Sequence, residues 1–196
     1  MENLPQEDNP LVRTVSDRPR KDGLLHLYTG NGKGKTSAAV GLALRMAGHG
    51  QRVLFAQFLK SAPSGEVTAF ERFRDLVDVR RPTMRHKAFL WHQTDAQREE
   101  TAADLVAGWR LLGRLLQDET IRLLVFDELL DVMQMGMIPQ DEVLGQLASR
   151  HPHAEVVLTG REASPELVAQ ADYVTEMTLR RHPYERGIQA RAGVEW

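Results

Sequence analysis

A glycine-rich stretch in the first quarter of the chain contains the residue types that bind phosphate. It reads GNGKGKTS and lies between an apolar run and a stretch with the apolar spacing of a helix. In such loops, glycines let backbone N–H groups turn toward phosphate oxygens, a lysine neutralises them, and a hydroxyl at the helix start binds Mg²⁺. We predict that this stretch binds the triphosphate of ATP. The residues predicted to form the site are Gly30, Asn31, Gly32, Lys33, Gly34, Lys35, Thr36 and Ser37.

The loop differs from the common phosphate-binding pattern at one position. That pattern, G-x-x-x-x-G-K-[ST], begins with glycine, whereas Thr29 stands there in this chain and further glycines lie inside the loop. A glycine-rich turn that contains lysine by chance is the alternative interpretation. The strand pattern before the loop, the helical pattern after it and carboxylates further along the chain argue against that alternative.

Two carboxylates, Asp127 and Glu128, follow a second apolar run, LLVF. At a strand end such groups hold Mg²⁺ directly or through water, and in many ATPases the second one activates water for hydrolysis. We predict that both bind the metal together with Thr36. Glu128 is also a candidate catalytic residue, along with Lys33 and Lys35. Either carboxylate can instead cap the following helix.

A third polar segment follows another apolar run and contains Arg161, directly after Thr159 and Gly160. A guanidinium at this place can approach the phosphates from a neighbouring strand end. A surface ion pair is the alternative role for this side chain. Arg161 therefore joins the predicted nucleotide site.

Strand and helix patterns alternate along the chain, and this alternation positions the three polar segments. It indicates parallel strands joined by right-handed crossovers, with ligands collected at the carboxyl ends of the strands. The predicted fold class is α/β: a single-domain, RecA-like P-loop fold with a mostly parallel central sheet flanked by helices. The predicted strands are 24–29, 52–59, 77–81, 121–128 and 154–161, and the predicted helices are 36–50, 66–73, 94–117 and 139–150.

The composition fits one globular domain without a strong charge preference. The chain has 196 residues, 42% hydrophobic and 27% charged, with a formal net charge of -2 and no cysteine. This charge provides no field that attracts nucleic acid or an anionic membrane, and thiolate metal sites and cysteine nucleophiles are excluded. We predict a cytoplasmic protein with a flexible, proline-containing arm at 1–22 and a catalytic domain at 23–196.

Five segments together carry a family resemblance: TGNGKGKTSAA, VFDEL, VLTGR, ADYVTEM and RHPYERGIQARAGVEW. In order and spacing they resemble the P-loop branch of the ATP:corrinoid adenosyltransferases, over residues 23–196. The resemblance implies that the substrate is a corrinoid reduced to Co(I), whose cobalt attacks the 5′ carbon of ATP and displaces triphosphate. It also implies ATP with Mg²⁺ or Mn²⁺, and an acceptor that is cobalamin, cobinamide or cobyrinic acid diamide.

Such a reaction needs no activated side chain, because the nucleophile arrives with the substrate. The protein must supply position and charge neutralisation, and the loop amides, Lys33, Lys35 and the metal would stabilise the leaving triphosphate. The resemblance implies that ATP binds reversed, with its ribose carbon toward the acceptor. Two other functions stay open: a P-loop ATPase or kinase acting on another acceptor, and a non-catalytic carrier of nucleotide or corrinoid.

The corrinoid contacts implied by the resemblance lie in two segments. Phe89 and Trp91 are similar to an aromatic pair that packs beneath the corrin ring and excludes the lower axial ligand, with ordinary core aromatics as the alternative. Gly65 and Glu66 match a Gly-Glu pair at a corrinoid or nucleotide contact, with helix capping as the alternative for Glu66. The histidines that flank the aromatic pair are expected to be solvated or packed and not to bind cobalt.

The expected partners follow from the same resemblance. It implies a homodimer in which an N-terminal arm closes over the partner's active site, and a flavoprotein that supplies the electron to cobalt. Neither nucleic acid nor a membrane is an expected partner.

Overall fold

The sheet at the centre of the molecule has six parallel strands among residues 23–60, 64–86 and 92–195, which the computed structural model describes. Their spatial order is β3-β2-β4-β5-β1-β6. This arrangement confirms the predicted α/β class with a parallel central sheet. The predicted arm at 1–22 lies outside the described residues. The strands are β1 (Leu25–Thr29), β2 (Arg52–Gln57), β3 (Val77–Arg80), β4 (Ile121–Asp127), β5 (Glu155–Thr159) and β6 (Tyr173–Glu176).

Helices alternate with the strands along the described chain. Short 3₁₀ segments at Glu71–Phe73 and Arg114–Gln117 extend two of them, and a third lies at Pro183–Arg186. None of the helices in the described ranges is long and apolar enough to span a membrane. The α-helices are α1 (Lys35–Gly48), α2 (Gly65–Phe70), α3 (Asp95–Gly113), α4 (Leu129–Gln134), α5 (Gln140–Ala148) and α6 (Pro165–Gln170).

Each predicted strand and helix has a counterpart in the structure, but α4, α6 and β6 were not predicted. The two helices have only six residues each, which is too short to show a helical period clearly. The strand β6 lies at the edge of the sheet and all four of its residues are exposed. It therefore lacks the alternation of apolar and polar residues by which a half-buried strand is recognised.

The two faces of the sheet are covered by different kinds of helix surface. On one face, α1 contributes the fully or almost fully buried Ala39, Ala43 and Ala47, whose small side chains let the helix lie close to strand residues such as Val125 and Val157. On the other face the larger side chains of α3, α4 and α5 pack against alternate strand residues. Because successive strand residues point to opposite faces, β4 supplies both cores.

The longest helix, α3, begins and packs as its sequence indicates. Thr94 accepts a hydrogen bond from the backbone of Gln97, whose side chain bonds back to the Thr94 N–H, and this capping box satisfies two otherwise unpaired donors. Further along, Trp109 is completely buried, with its ring 5.1 Å from that of Phe126 and 6.4 Å from that of Phe58. Trp109 thus joins α3 to the ends of two strands that lead to the site.

Replacing Trp109 with alanine is expected to lower the free energy of unfolding by about 3–5 kcal/mol, because it leaves a large cavity beside Phe58 and Phe126. Urea unfolding followed by circular dichroism measures the change. Leu111 lies on the same helix with 67% of its surface exposed, and its replacement by alanine is the matched control, expected to cost less than about 0.5 kcal/mol. Equal losses in both variants would contradict the packing described above.

Candidate functional site

Residues 30–34, which we call the phosphate loop, connect β1 to α1 and are held by the chain around them. Gly30 and Gly34 have positive φ angles of 97° and 126°, which favour glycine. A Cβ atom on Gly30 or Gly32 would lie 2.4 or 2.5 Å from the carbonyl oxygen of Met177, which follows β6. Glycine is required at these places because another part of the backbone approaches them closely.

Two loop amides have partners within the protein. The N–H of Gly30 donates to the carbonyl of Arg161 at 2.8 Å, and that of Gly32 donates to the carbonyl of Met177 at 2.6 Å. This differs from the expectation that the glycine amides turn toward phosphate, and it gives Gly30 and Gly32 the role of fixing the loop. The first-turn amides of α1, from Lys35 to Ser37, have no acceptor within the helix and are the donors suited to an anion.

The Lys35 side chain folds over the loop that precedes it. Its Nζ donates to the carbonyls of Gly30 at 2.6 Å and Gly32 at 2.8 Å. Burial lowers the pKa of the ammonium and the nearby Arg161 guanidinium lowers it further, whereas Asp131 opposes the shift. A positive charge therefore stands inside the loop where the sequence predicts phosphate.

Asp127, at the end of β4, is completely buried and has partners on both carboxylate oxygens. Its Oδ1 accepts hydrogen bonds from the hydroxyls of Thr36, at 2.9 Å, and Thr159, at 2.7 Å. Its Oδ2 lies 3.4 Å from Nε2 of Gln57 and 3.3 Å from Nζ of Lys60. The structure therefore brings Thr36 and Asp127 together, as predicted, and the alternative that Asp127 caps α4 is wrong.

Glu128 occupies the N-cap position of α4, but its side chain makes no capping bond. Its φ of 64° is the only positive φ at a non-glycine residue in the described part of the chain. Burial, reinforced by the neighbouring charge of Asp127, raises the pKa of Glu128 to about 7. Strained backbone of this kind is concentrated at functional sites, and Glu128 lines a cleft at the end of β4.

A polar network at the ends of β2 and β3 was not predicted, apart from Glu66. The Glu66 carboxylate accepts from Nε2 of Gln57 at 3.0 Å and lies 3.2 Å from Nζ of Lys60. Burial alone would raise the pKa of Glu66, but its own backbone N–H and Lys60 outweigh burial and lower it. Arg81 donates to Oε1 of Gln57 at 2.7 Å through Nη2 and to Ser64 at 3.2 Å. The signal that could have identified these polar residues is their position at or just after the carboxyl end of a strand. This holds for Gln57, Lys60, Arg81 and Thr159.

The C-terminal segment, residues 177–195, forms part of the site. From the sequence, this segment contributed only to the family resemblance. Lys33 donates from Nζ to the carbonyl of Val194 at 2.6 Å and lies 3.8 Å from the carboxylate of Glu195. Hydrogen bonds from Arg191 hold the pKa of Glu195 at about 2. The side chain of Asn31 accepts from the N–H of Leu179 at 2.9 Å. The loop therefore contacts the chain that follows β6 at several points.

These groups surround a cleft of about 640 Å³. The start of α1, Lys60 with the start of α2, and the C-terminal segment all contribute to its lining. The cleft can hold a polyanion between cations, next to hard oxygen donors. Its lining residues are Lys33, Gly34, Thr36, Ser37, Val40, Lys60, Gly65, Glu66, Ala69, Glu128, Gly193, Val194 and Glu195.

The remaining predicted residues are placed differently with respect to this cleft. The Arg161 carbonyl accepts a hydrogen bond from the Gly30 N–H, and the Arg161 N–H donates to the Asp131 carboxylate. The Arg161 side chain is exposed, and its charge helps to lower the pKa of Lys35. His86 is one of the two histidines that flank the aromatic pair, and its Nε2 forms a hydrogen bond of 2.8 Å with the carboxylate of Glu100. Phe89 and Trp91 lie outside the described residues.

The donors for a metal ion are few but of the right type. Within the described residues no group of three or more His, Asp or Glu side chains forms a metal cluster. Mg²⁺ in nucleotide sites uses only one or two protein oxygens, with water and phosphate oxygens completing its shell. Two groups fit that chemistry: the Thr36 hydroxyl, which donates a hydrogen bond to Asp127, and the Glu128 carboxylate.

A glycine-rich loop between a strand and a helix, with its hydroxyl bonded to a carboxylate at the end of a parallel strand, defines a P-loop nucleotide-binding protein. Residues 21–196 match the model of the ATP:corrinoid adenosyltransferase BtuR/CobO/CobP family, and the chain belongs to that family. This confirms the family resemblance, and with it the class of activity.

Relatives of this family resemble the chain over most of their length. A corrinoid adenosyltransferase of Pseudomonas aeruginosa is 39% identical over 175 residues, which are 89% of this chain and 84% of the relative. Those of Salmonella typhimurium and Escherichia coli K12 are 33% and 31% identical, each over 93% of this chain and 90% of the relative. The region that matches the family, residues 21–196, includes the loop, the carboxylates and the C-terminal segment.

Replacing Glu128 with glutamine is expected to stabilise the ligand-free protein at high pH but not at low pH. The folded pKa of about 7 exceeds the ordinary value of 4.5, so the stability that this group contributes at low pH is lost as pH rises through 7. Glutamine avoids that loss, and the gain in free energy of unfolding near pH 8 is at most about 3 kcal/mol. Urea unfolding at about pH 4 and pH 8, without metal or nucleotide, measures it.

The control for this prediction is the exposed Glu99, replaced by glutamine in the same way. It should show no comparable gain at high pH. A Glu128→Gln effect that does not change with pH would contradict the raised pKa.

Proposed function

We propose that this protein transfers the 5′-deoxyadenosyl group of ATP to the Co(I) centre of a corrinoid and releases triphosphate, in cobalamin biosynthesis. The cobalt electron pair forms the Co–C5′ bond while the C5′–O5′ bond breaks, and that bond pair leaves on the triphosphate. The observation that carries the proposal is the hydrogen bond from the Thr36 hydroxyl to the Asp127 carboxylate beside the phosphate loop, in a chain of this family. The site is suited to holding a triphosphate next to an open cleft.

The cations of the loop would stabilise the leaving group. Triphosphate gains negative charge as the C5′–O5′ bond breaks, and preorganised charges are most effective where charge develops. The Lys35 ammonium is bonded to carbonyls of the loop, Lys33 lines the cleft, and the charge of Arg161 acts on Lys35. We propose these three residues, with the residues from Gly30 to Ser37, as the nucleotide site.

We propose that Thr36 and Glu128 hold Mg²⁺ or Mn²⁺, and that Asp127, predicted from the sequence as a further ligand, acts through Thr36 instead. Both oxygens of Asp127 are engaged by side chains, and its bond to Thr36 leaves the lone pairs of that hydroxyl free to face a cation. Glu128 lines the cleft without a capping bond. A bound metal ion would neutralise part of the triphosphate charge.

The proposed corrinoid contacts lie in two segments, one that lines the cleft and one outside the described residues. Gly65 and Glu66 line the cleft and are proposed corrinoid or nucleotide contacts. Phe89 and Trp91 are proposed to pack beneath the corrin ring. A cytoplasmic homodimer, closure by the arm at 1–22 and electron supply from a flavoprotein complete the proposal.

One observation favours a second candidate function. A carboxylate with a pKa of about 7, such as Glu128, is suited to activate water or a hydroxyl as a general base, as an ATPase or kinase requires. Adenosyl transfer to Co(I) moves no proton at the reacting carbon and needs no such base. The products therefore distinguish these functions, and a carrier would give neither product.

The deciding experiment is an anaerobic reaction of the protein with MgATP and chemically reduced cobalamin, cobinamide or cobyrinic acid diamide. We expect triphosphate and a light-sensitive alkylcobalt spectrum, and a loss of roughly 100-fold or more in rate for Lys35→Ala. Arg45→Ala, which removes an exposed cation from the same helix, is the control and should keep the rate. ADP with unmodified corrinoid would exclude adenosyl transfer, and binding without products would indicate a carrier.

Replacing Trp91 with alanine is expected to reduce turnover that starts from Co(II) much more than turnover that starts from preformed Co(I). The reason is that exclusion of the lower ligand makes Co(II) easier to reduce and has less effect once Co(I) is formed. Parallel assays with the two starting states measure the ratio. Equal losses in both would remove this role from Trp91.

A further inference from the structure

Lys60 lies at the centre of the anionic side of the cleft and has no role in the proposed reaction so far. It follows the end of β2, and 26% of its side-chain surface is exposed. Its Nζ lies 3.2 Å from Oε1 of Glu66 and 3.3 Å from Oδ2 of Asp127. One ammonium group therefore bridges two carboxylates from different elements and also lines the cleft.

The surroundings keep this side chain charged and in place. Burial opposes its charge, but the carboxylates of Asp127 and Glu66 outweigh burial and raise the pKa of Lys60. Gln57, whose side chain bonds both carboxylates, is itself fixed by Arg81. The cation is thus held by a network that is largely complete before any ligand binds.

The position of Lys60 affects where a divalent ion can bind. Carboxylate oxygens are the strongest protein ligands for a hard divalent cation. Lys60 and Gln57 engage Oδ2 of Asp127, and Oδ1 accepts from two threonine hydroxyls. A metal ion entering without nucleotide would have to displace the ammonium or bind close to it, and like charges at such distances repel strongly at a partly buried site.

We propose that Lys60 is a positioning residue that serves as the resident cation of the cleft. It neutralises the Asp127 and Glu66 carboxylates that it bridges, and it keeps the affinity for a free divalent ion low until triphosphate oxygens supply further ligands. The metal then enters together with ATP instead of occupying the cleft beforehand. This inference rests on the proposed function of the site, since it assumes that the metal serves the triphosphate.

The test measures binding of Mn²⁺ alone, without nucleotide or corrinoid, by electron paramagnetic resonance. Lys60→Gln keeps a hydrogen-bond donor but removes the charge, and it is expected to bind Mn²⁺ about tenfold or more tightly than the wild type. Lys60→Arg keeps the charge and should stay within about threefold of the wild type. Unchanged or weaker Mn²⁺ binding by a folded Lys60→Gln would overturn the proposal.

A matched control separates a local effect from a general change in charge. Lys33→Gln removes one positive charge from the same cleft, but its ammonium contacts Val194 and Glu195 instead of the two carboxylates. We expect less than about a threefold change in Mn²⁺ affinity, and a gain equal to that of Lys60→Gln would also overturn the proposal. Thermal unfolding monitors folding, and Lys60→Met provides the neutral variant if Lys60→Gln does not fold.

Failure of the Lys60 proposal can be distinguished from failure of the proposed function. If the wild type transfers no adenosyl group, the proposed function fails while the Mn²⁺ titration still tests Lys60. If the wild type transfers the group but the neutral Lys60 variants bind Mn²⁺ no more tightly, only the role of Lys60 fails.

Discussion

The buried carboxylate of Asp127 is the constraint on which the rest of the site depends. A charge removed from water is costly unless it is paired and hydrogen-bonded, and this one has partners from the start of α1, from β2 and the residues after it, and from β5. Each partner must keep its position for the carboxylate to remain satisfied. The sheet register, which sets Gln57 beside Asp127, and the phosphate loop, which presents Thr36, are therefore linked through one side chain.

The chain that follows β6 also holds the phosphate loop in place. The carbonyl of Met177 accepts from Gly32, Leu179 bonds to Asn31, and Val194 accepts from Lys33. The edge strand β6 pairs with β1, the strand that leads into the loop, so the chain that follows β6 begins beside the loop. The C-terminal segment thus contacts the loop and lines the cleft beside it.

The distribution of charge in the cleft suits a reaction whose nucleophile is brought by the substrate. Cations lie on the loop and at Lys60, and carboxylates lie at the strand ends, so that the protein supplies position and neutralisation. Glu128 is the exception, because its backbone is strained and burial raises its pKa. Strain and a destabilised charge at one residue are the usual compromise of stability for function.

The sequence by itself determined the class of fold, the glycine-rich loop, the placement of Thr36 near strand-end carboxylates, and the family. These depend on local periodicity and on residues adjacent in sequence, or on a pattern shared by a whole family. Only the tertiary structure decided that Gly30 and Gly32 bond protein carbonyls, that Lys60 bridges Asp127 and Glu66, and that the C-terminal segment lines the cleft. Each of these contacts joins elements brought together by the sheet order, and a single sequence carries no local signal for such pairings.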